Sequence, residues 1–146
     1  MHCIERSILV SYSAEQMFRL VTAIDAYPMF LPGCVAARAS NRPDGKVDVT
    51  MEIDYHGVRA RFTTRNEYVE FAEVRMDLVD GPFRQLEGEW TFKEMRTDAC
   101  RVRLRLSYEF AGGLLGRAVA PVFGLLAGSL VDAFSQRADV AYADAR

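Results

Sequence analysis

Between Val47 and Tyr55 apolar and polar residues alternate without a break. Val47, Val49, Met51, Ile53 and Tyr55 fall on one side, and Asp48, Thr50, Glu52 and Asp54 on the other. A period of two is the mark of a strand with one dry and one wet face. His56-Gly57 then reads as a two-residue hairpin turn, glycine supplying a positive φ. A turn there sets Tyr55 opposite Val58 and fixes the register of the hairpin. Met51 faces Phe62 on the dry side, and on the wet side Asp54 meets Arg59, Glu52 meets Arg61 and Asp48 meets Arg65. Such pairs stabilise by only about 0.2–1 kcal/mol each, so their value is as evidence for the register. The alternation recurs: Val74, Met76 and Leu78 point inward; so do Leu86, Gly88, Trp90 and Phe92; so do Val102, Leu104, Leu106, Tyr108 and Phe110. Pairing Glu89 with Arg103 and Glu87 with Arg105 again matches charges. The stretch from Cys34 to Phe110 therefore predicts an antiparallel meander, wet on one face and apolar on the other.

The flanks are helical. Residues 4–10 predict a first strand, with Ile4, Ile8 and Val10 on one parity. Ser13 predicts an N-cap, and Gln16 three residues on completes a capping box. Met17, Phe18, Leu20 and Val21 give the short helix that follows its apolar face. A second helical turn begins near Asp25 and ends by Pro32 and Gly33. After Ala111-Gly112-Gly113 one long helix is expected from about Leu114 to Tyr142. Its apolar stripe holds Leu115, Val119, Val122, Phe123, Leu126, Leu130 and Phe134. Pro121 should kink it unless the helix truly starts nearby. This order predicts an α+β fold in a single domain across residues 1–146: a curved antiparallel sheet wrapped around a long C-terminal helix, with two short helices after strand 1.

Composition adds exclusions. A chain of 146 residues, 50% hydrophobic and 26% charged, is ordinary for a globular domain and rules out disorder of the whole. A net charge of −2 gives no global support to phosphate-driven binding, and DNA is not expected as a partner. Three cysteines, Cys3, Cys34 and Cys100, without CxxC spacing argue against a disulfide framework and for a reducing compartment. No signal-like apolar run opens the chain. The longest uncharged stretch, Ala118 to Val131, contains Pro121 and is shorter than the about 20 residues a spanning helix needs. A cytoplasmic protein is expected.

Chemistry is sparse. The histidines, His2 and His56, lie at the terminus and a turn, away from metal-ligand spacing, so no metal site is expected. No GxSxG elbow or Cys-His pairing suggests a nucleophile. Cys100 falls on an inward parity as a small buried hydrophobe, whereas Cys34, after Pro32-Gly33, is expected near solvent. Gly112-Gly113 and Gly116 lack the companions of a phosphate-binding loop. Asp25 and Asp80 stand in turns. Arg59, Arg61 and Arg65, with Arg101, Arg103 and Arg105, form two outer rows. They suit an anionic partner such as RNA, but cross-strand pairing with interleaved acids accounts for them more simply. The inner face is rich in large groups: Phe18, Phe30, Met51, Phe62, Met76, Trp90, Tyr108 and Phe123. Periodicity leaves open whether they fill a core or line an apolar pocket. Gly116, Ala120, Gly124 and Gly128 give the last helix a small-residue stripe, a cost of about 1 kcal/mol per glycine that a close approach, ligand or partner should offset. The segment Leu114–Leu126, charged only at Arg117, is either covered on two sides or able to open and touch a membrane.

Several segments resemble a bacterial START-like (SRPBCC, polyketide cyclase/dehydrase-like) family that comprises the ribosome-association toxin RatA and the coenzyme-Q-binding proteins. They are Tyr12-Ser13-Ala14-Glu15-Gln16-Met17-Phe18, Tyr27-Pro28-Met29-Phe30-Leu31-Pro32-Gly33-Cys34, Phe62-Thr63-Thr64-Arg65-Asn66, Leu78-Val79-Asp80-Gly81-Pro82-Phe83 and Gly88-Glu89-Trp90-Thr91-Phe92. The resemblance runs nearly end to end and leans toward the RatA branch. It implies a helix-grip fold with an apolar tunnel under the C-terminal helix. The first function it implies is non-enzymatic binding of a hydrophobic isoprenoid such as ubiquinone, in support of respiration. The candidate ligand contacts are Phe18, Tyr27, Phe30, Met51, Phe62, Met76, Trp90, Leu104, Tyr108, Phe123, Leu126 and Leu130. The alternative is a RatA-type toxin that binds the large ribosomal subunit and blocks subunit association. Peripheral contact with the inner membrane fits the first reading. No catalytic residues carry over, and a cyclase-like enzyme is disfavoured for want of an inward acid–base pair.

Overall fold

The structure, a computed structural model, describes residues 2–143; the side chain of Leu115, expected on the apolar stripe, lies outside the described residues. Strand β1 (His2–Val10) leads into helix α1 (Ala14–Thr22) and a 3-10 helix (Ile24–Met29). Six strands follow: β2 (Cys34–Asn41), β3 (Val47–Tyr55), β4 (Val58–Val69), β5 (Glu73–Asp80), β6 (Phe83–Arg96) and β7 (Ala99–Phe110). Helices α2 (Leu114–Gly128) and α3 (Leu130–Ala141) close the chain. The strands form one antiparallel sheet in the order β1-β7-β6-β5-β4-β3-β2. This is the α+β helix-grip arrangement, with the helices laid on one face of the sheet.

Local signals act as read. The Gln16 N–H donates to Ser13 Oγ at 3.1 Å, and the Ser13 N–H to Gln16 Oε1 at 2.9 Å, satisfying two donors at the start of α1. His56 and Gly57 take φ of 53° and 84°, the left-handed pair of a tight hairpin. Tyr55 sits opposite Val58 and Met51 opposite Phe62. Arg59 reaches Asp54 at 2.9 Å and Arg65 reaches Asp48 at 2.9 Å. The Arg65 guanidinium holds the Asp48 carboxyl below its usual range.

Two expectations are corrected. In the β6–β7 pair Glu89 faces Arg105, Glu87 faces Ser107 and Arg103 faces Thr91, two residues away from the charge-matched register. The ladder shifts between Glu94 and Arg96 next to the turn, so the turn sets the pairing, and exposed ion pairs worth at most about 1 kcal/mol do not override it. A slip of two leaves every side chain on its expected face. It does leave Arg101 opposite Lys93 and Leu9, while Arg103 reaches across to Glu5 at 2.7 Å. The outer arginine row of β7 is therefore less neutralised than the sequence suggests.

The long helix is also two helices, bent by 45°. The break is at Ser129, whose backbone N–H and hydroxyl both donate to the Leu126 carbonyl, at 3.1 and 2.8 Å. That tightens the last turn of α2 and ends it. Pro121 lies inside an unbroken α2, exposed together with Arg117. Proline has no N–H to offer the Arg117 carbonyl, and at an exposed position water can take its place. In the small-residue stripe only Gly116 is required by a close approach: a Cβ on it would lie 2.2 Å from the Ala111 carbonyl oxygen.

The bend divides the core. Helices α1 and α3 cover one cluster containing Met17, Val21, Trp90, Leu104 and Phe134, each nearly inaccessible. Helix α2 covers another containing Phe83, Leu86, Tyr108, Val119 and Phe123.

Candidate functional site

The seam between the two clusters is not filled. A partly open cavity of ≈ 110 Å³ lies there, near the size of an engineered cavity of roughly 150 Å³ that binds benzene, so it suits a ring-sized group. The sheet contributes Cys34, Val49, Met51, Ile53, Phe62, Thr64, Asn66, Met76, Leu86, Trp90, Leu104 and Leu106; the helices contribute Phe123, Leu126, Ala127, Leu130 and Phe134; the 3-10 helix and its loop contribute Ile24, Tyr27, Leu31 and Pro32. None of these residues is charged. The loop approaches α2 closely at Gly33, where φ is +76° and a Cβ would meet Leu126 at 2.8 Å. The positive φ is what favours glycine there, since the Leu126 tip could turn aside for a Cβ.

Of the candidate contacts, Tyr27, Met51, Phe62, Met76, Trp90, Leu104, Phe123, Leu126 and Leu130 converge on the cavity. Phe18, Phe30 and Tyr108 do not line it. Phe18 packs elsewhere in the α1–α3 cluster, its ring edge-on to Tyr68, Phe71 and Phe92 at 5.7–5.9 Å. Phe30 packs on Tyr27 and Phe134 under the Arg137 guanidinium. Tyr108 is sandwiched in the α2 cluster with Phe83, Phe110 and Phe123. Each satisfies the inward parity, but parity does not say which part of a long inner face lies beneath the seam.

Sequence reading missed Phe134, placed on the apolar stripe only, and the polar pair Thr64 and Asn66. These are 6% and 4% exposed, the only buried polar residues among those described. The Thr64 hydroxyl donates to the Asn66 amide oxygen at 2.8 Å. The signal was present: both fall on the inward parity of β4, with Phe62 and Tyr68, where apolar residues are expected.

The titratable groups of the site are held protonated. Burial pushes the Tyr27 hydroxyl far above its ordinary range, and its O–H donates to the Val21 carbonyl. Cys34 is buried at the cavity wall, correcting the expectation of an exposed thiol, and burial raises its pKa. Cys100, wholly buried, is pushed up to about 11 by burial, with Glu94 nearby. Neither thiol is ionised near neutrality, which leaves no ready nucleophile. Among the described residues no group of His, Cys, Asp and Glu could hold a metal ion, and no single helix is long and apolar enough to cross a membrane. The arrangement supports binding of an uncharged, mostly apolar molecule.

Residues 10–135 match the family described as polyketide cyclase / dehydrase and lipid transport. The chain is 40% identical over 139 residues to the ribosome association toxin RatA of Escherichia coli K12, covering 95% of this chain and 88% of that protein. It is 26% identical over 140 residues to the mitochondrial coenzyme Q-binding protein COQ10 homolog B of Xenopus laevis, covering 93% of this chain and 57% of that protein. A START superfamily protein from Mycobacterium smegmatis superposes with a TM-score of 0.79 at 21% identity, covering 95% of this chain and 98% of that one. With the family match over most of its length and 40% identity to a relative across 95% of it, the chain belongs to the polyketide cyclase / dehydrase and lipid transport family.

Proposed function

We propose that this chain is a non-enzymatic, RatA-type ribosome-association toxin that binds the large ribosomal subunit in the cytoplasm and blocks subunit joining. The observation that carries the reading is 40% identity across 95% of the chain to a protein named ribosome association toxin. The outer face of β7 supplies a fitting surface: Arg101 stands beside Lys93 without an acid opposite it, next to exposed Leu9. The test is sedimentation of separated ribosomal subunits at permissive magnesium. Added protein should deplete the joined particle and travel with the large subunit. Unchanged joining at a several-fold molar excess would rule the toxin reading out.

A second reading is favoured by the cavity itself. An uncharged, partly open seam suits a hydrophobic isoprenoid such as ubiquinone, its ring inside, in support of respiration. Helix α2 also carries exposed apolar residues, Leu114 and Leu125 at 84% and 59%, suited to contact with a membrane surface. Extraction of protein purified without detergent, followed by mass spectrometry, should recover near-stoichiometric quinone. The two roles use different surfaces and are compatible.

A further inference from the structure

The cavity wall is mostly apolar: the Tyr27 hydroxyl is spent on the Val21 carbonyl, and the buried polar side chains on it are the Thr64–Asn66 pair on β4. Asn66 lies opposite Val47 on β3 and Met76 on β5, and Thr64 opposite Val49 and Leu78, so the pair is framed by apolar neighbours on both sides. An amide in such surroundings is costly to leave unpaired. The pair is also asymmetric. The Thr64 hydroxyl already occupies the Asn66 oxygen at 2.8 Å, which fixes the amide and leaves donation as its spare capacity. The amide nitrogen carries two N–H hydrogens: the Tyr68 hydroxyl is a neighbour for one, and in a side chain that lines the cavity the other suits an acceptor oxygen on a ligand.

We propose that Thr64 and Asn66 are the recognition point of this cavity, selecting a neutral ligand that presents a carbonyl oxygen to the Asn66 amide and an apolar body to the surrounding wall. The proposal rests on the reading of the cavity as a ligand site. A carboxylate is disfavoured because no charged residue lines the wall and an unpaired anion would forfeit its hydration there. A pure hydrocarbon leaves the amide donor unmet. Thr64 acts as a positioning residue: without its hydroxyl the amide is free to turn and offer its oxygen.

The test uses the full chain, labelled with nitrogen-15, and three ring-sized probes: acetophenone, ethylbenzene and benzoate. Trp90 lines the cavity and is the only tryptophan in the sequence, so its indole N–H signal reports occupancy. In the native protein acetophenone and ethylbenzene should both shift that signal at pH 7, and benzoate should not. In Asn66→Leu the affinity for acetophenone should fall about tenfold relative to ethylbenzene, the worth of one buried hydrogen bond. Thr64→Val, nearly isosteric, should reduce the same ratio and keeps the proposal testable if Asn66→Leu does not fold. Equal changes for ketone and hydrocarbon in both variants, or benzoate binding as tightly as acetophenone, would overturn the recognition point while leaving the cavity a ligand site. Failure of all three probes to move Trp90 would overturn the ligand-site reading and this proposal with it.

Discussion

At the scale of single residues, the most telling position is Phe134. It is 1% exposed, and its ring lies edge-on to Tyr27, Phe30 and Trp90 at 5.2–5.4 Å, tying α3 to the loop and the sheet at the cavity wall. Phe134→Ala should destabilise by about 3–5 kcal/mol in urea unfolding. The cysteines make a second prediction. Cys3 is exposed, whereas Cys34 and Cys100 are buried. An aromatic disulfide reagent should therefore titrate one thiol in the folded protein and three after unfolding. Cys100, with a folded pKa raised from about 9 to about 11, stabilises the fold only while protonated. That contribution is complete below the unfolded pKa and is lost as pH rises toward 11. Unfolding free energy should therefore fall between about pH 9 and 11, and fall less in Cys100→Ala, although that variant starts lower. A pH-independent stability across this window would contradict the burial of the thiol.

At the scale of elements, what is local in sequence is legible. The capping box needs only Ser13 and Gln16, three residues apart, and forms as read. Ser13→Ala should cost about 1 kcal/mol and lower Tm by about 2–4 °C in a chain of this size. The β3–β4 register follows from one dipeptide, because a two-residue turn leaves the flanking strands no freedom to slip. The β6–β7 register was misread because the true pairing lies two residues away from the charge-matched one, and a slip of two leaves a pattern of period two unchanged. The end of α2 was missed for a related reason. Pro121 and the glycines are the visible breakers, yet the chain bends at Ser129, a residue with no strong helix-breaking signature, where α2 and α3 settle on different clusters.

At the scale of the whole molecule, two surfaces bear two readings, and substitutions should separate them. Met76→Trp adds bulk at the cavity wall and should abolish probe binding while leaving the block of subunit joining intact. Arg101→Glu with Arg103→Glu should weaken large-subunit binding at least tenfold and leave Trp90 responding to ligand. Sedimentation and the Trp90 indole signal measure both, and loss of both activities in either protein of normal stability would contradict separate surfaces. The sequence by itself determined the sheet, its faces, the first helix with its cap and the family, because alternation, caps, turns and contiguous motifs are properties of neighbours along the chain. It also brought most of the cavity-wall residues to notice as large inward groups. Only the tertiary structure decided that the inner face is split by a bend at Ser129, that a gap remains at the split, and that Phe18, Phe30 and Tyr108 lie outside it while Thr64 and Asn66 lie within. Periodicity assigns each side chain a face but carries no distance along it. A cavity is defined by where segments far apart in sequence fail to close upon one another.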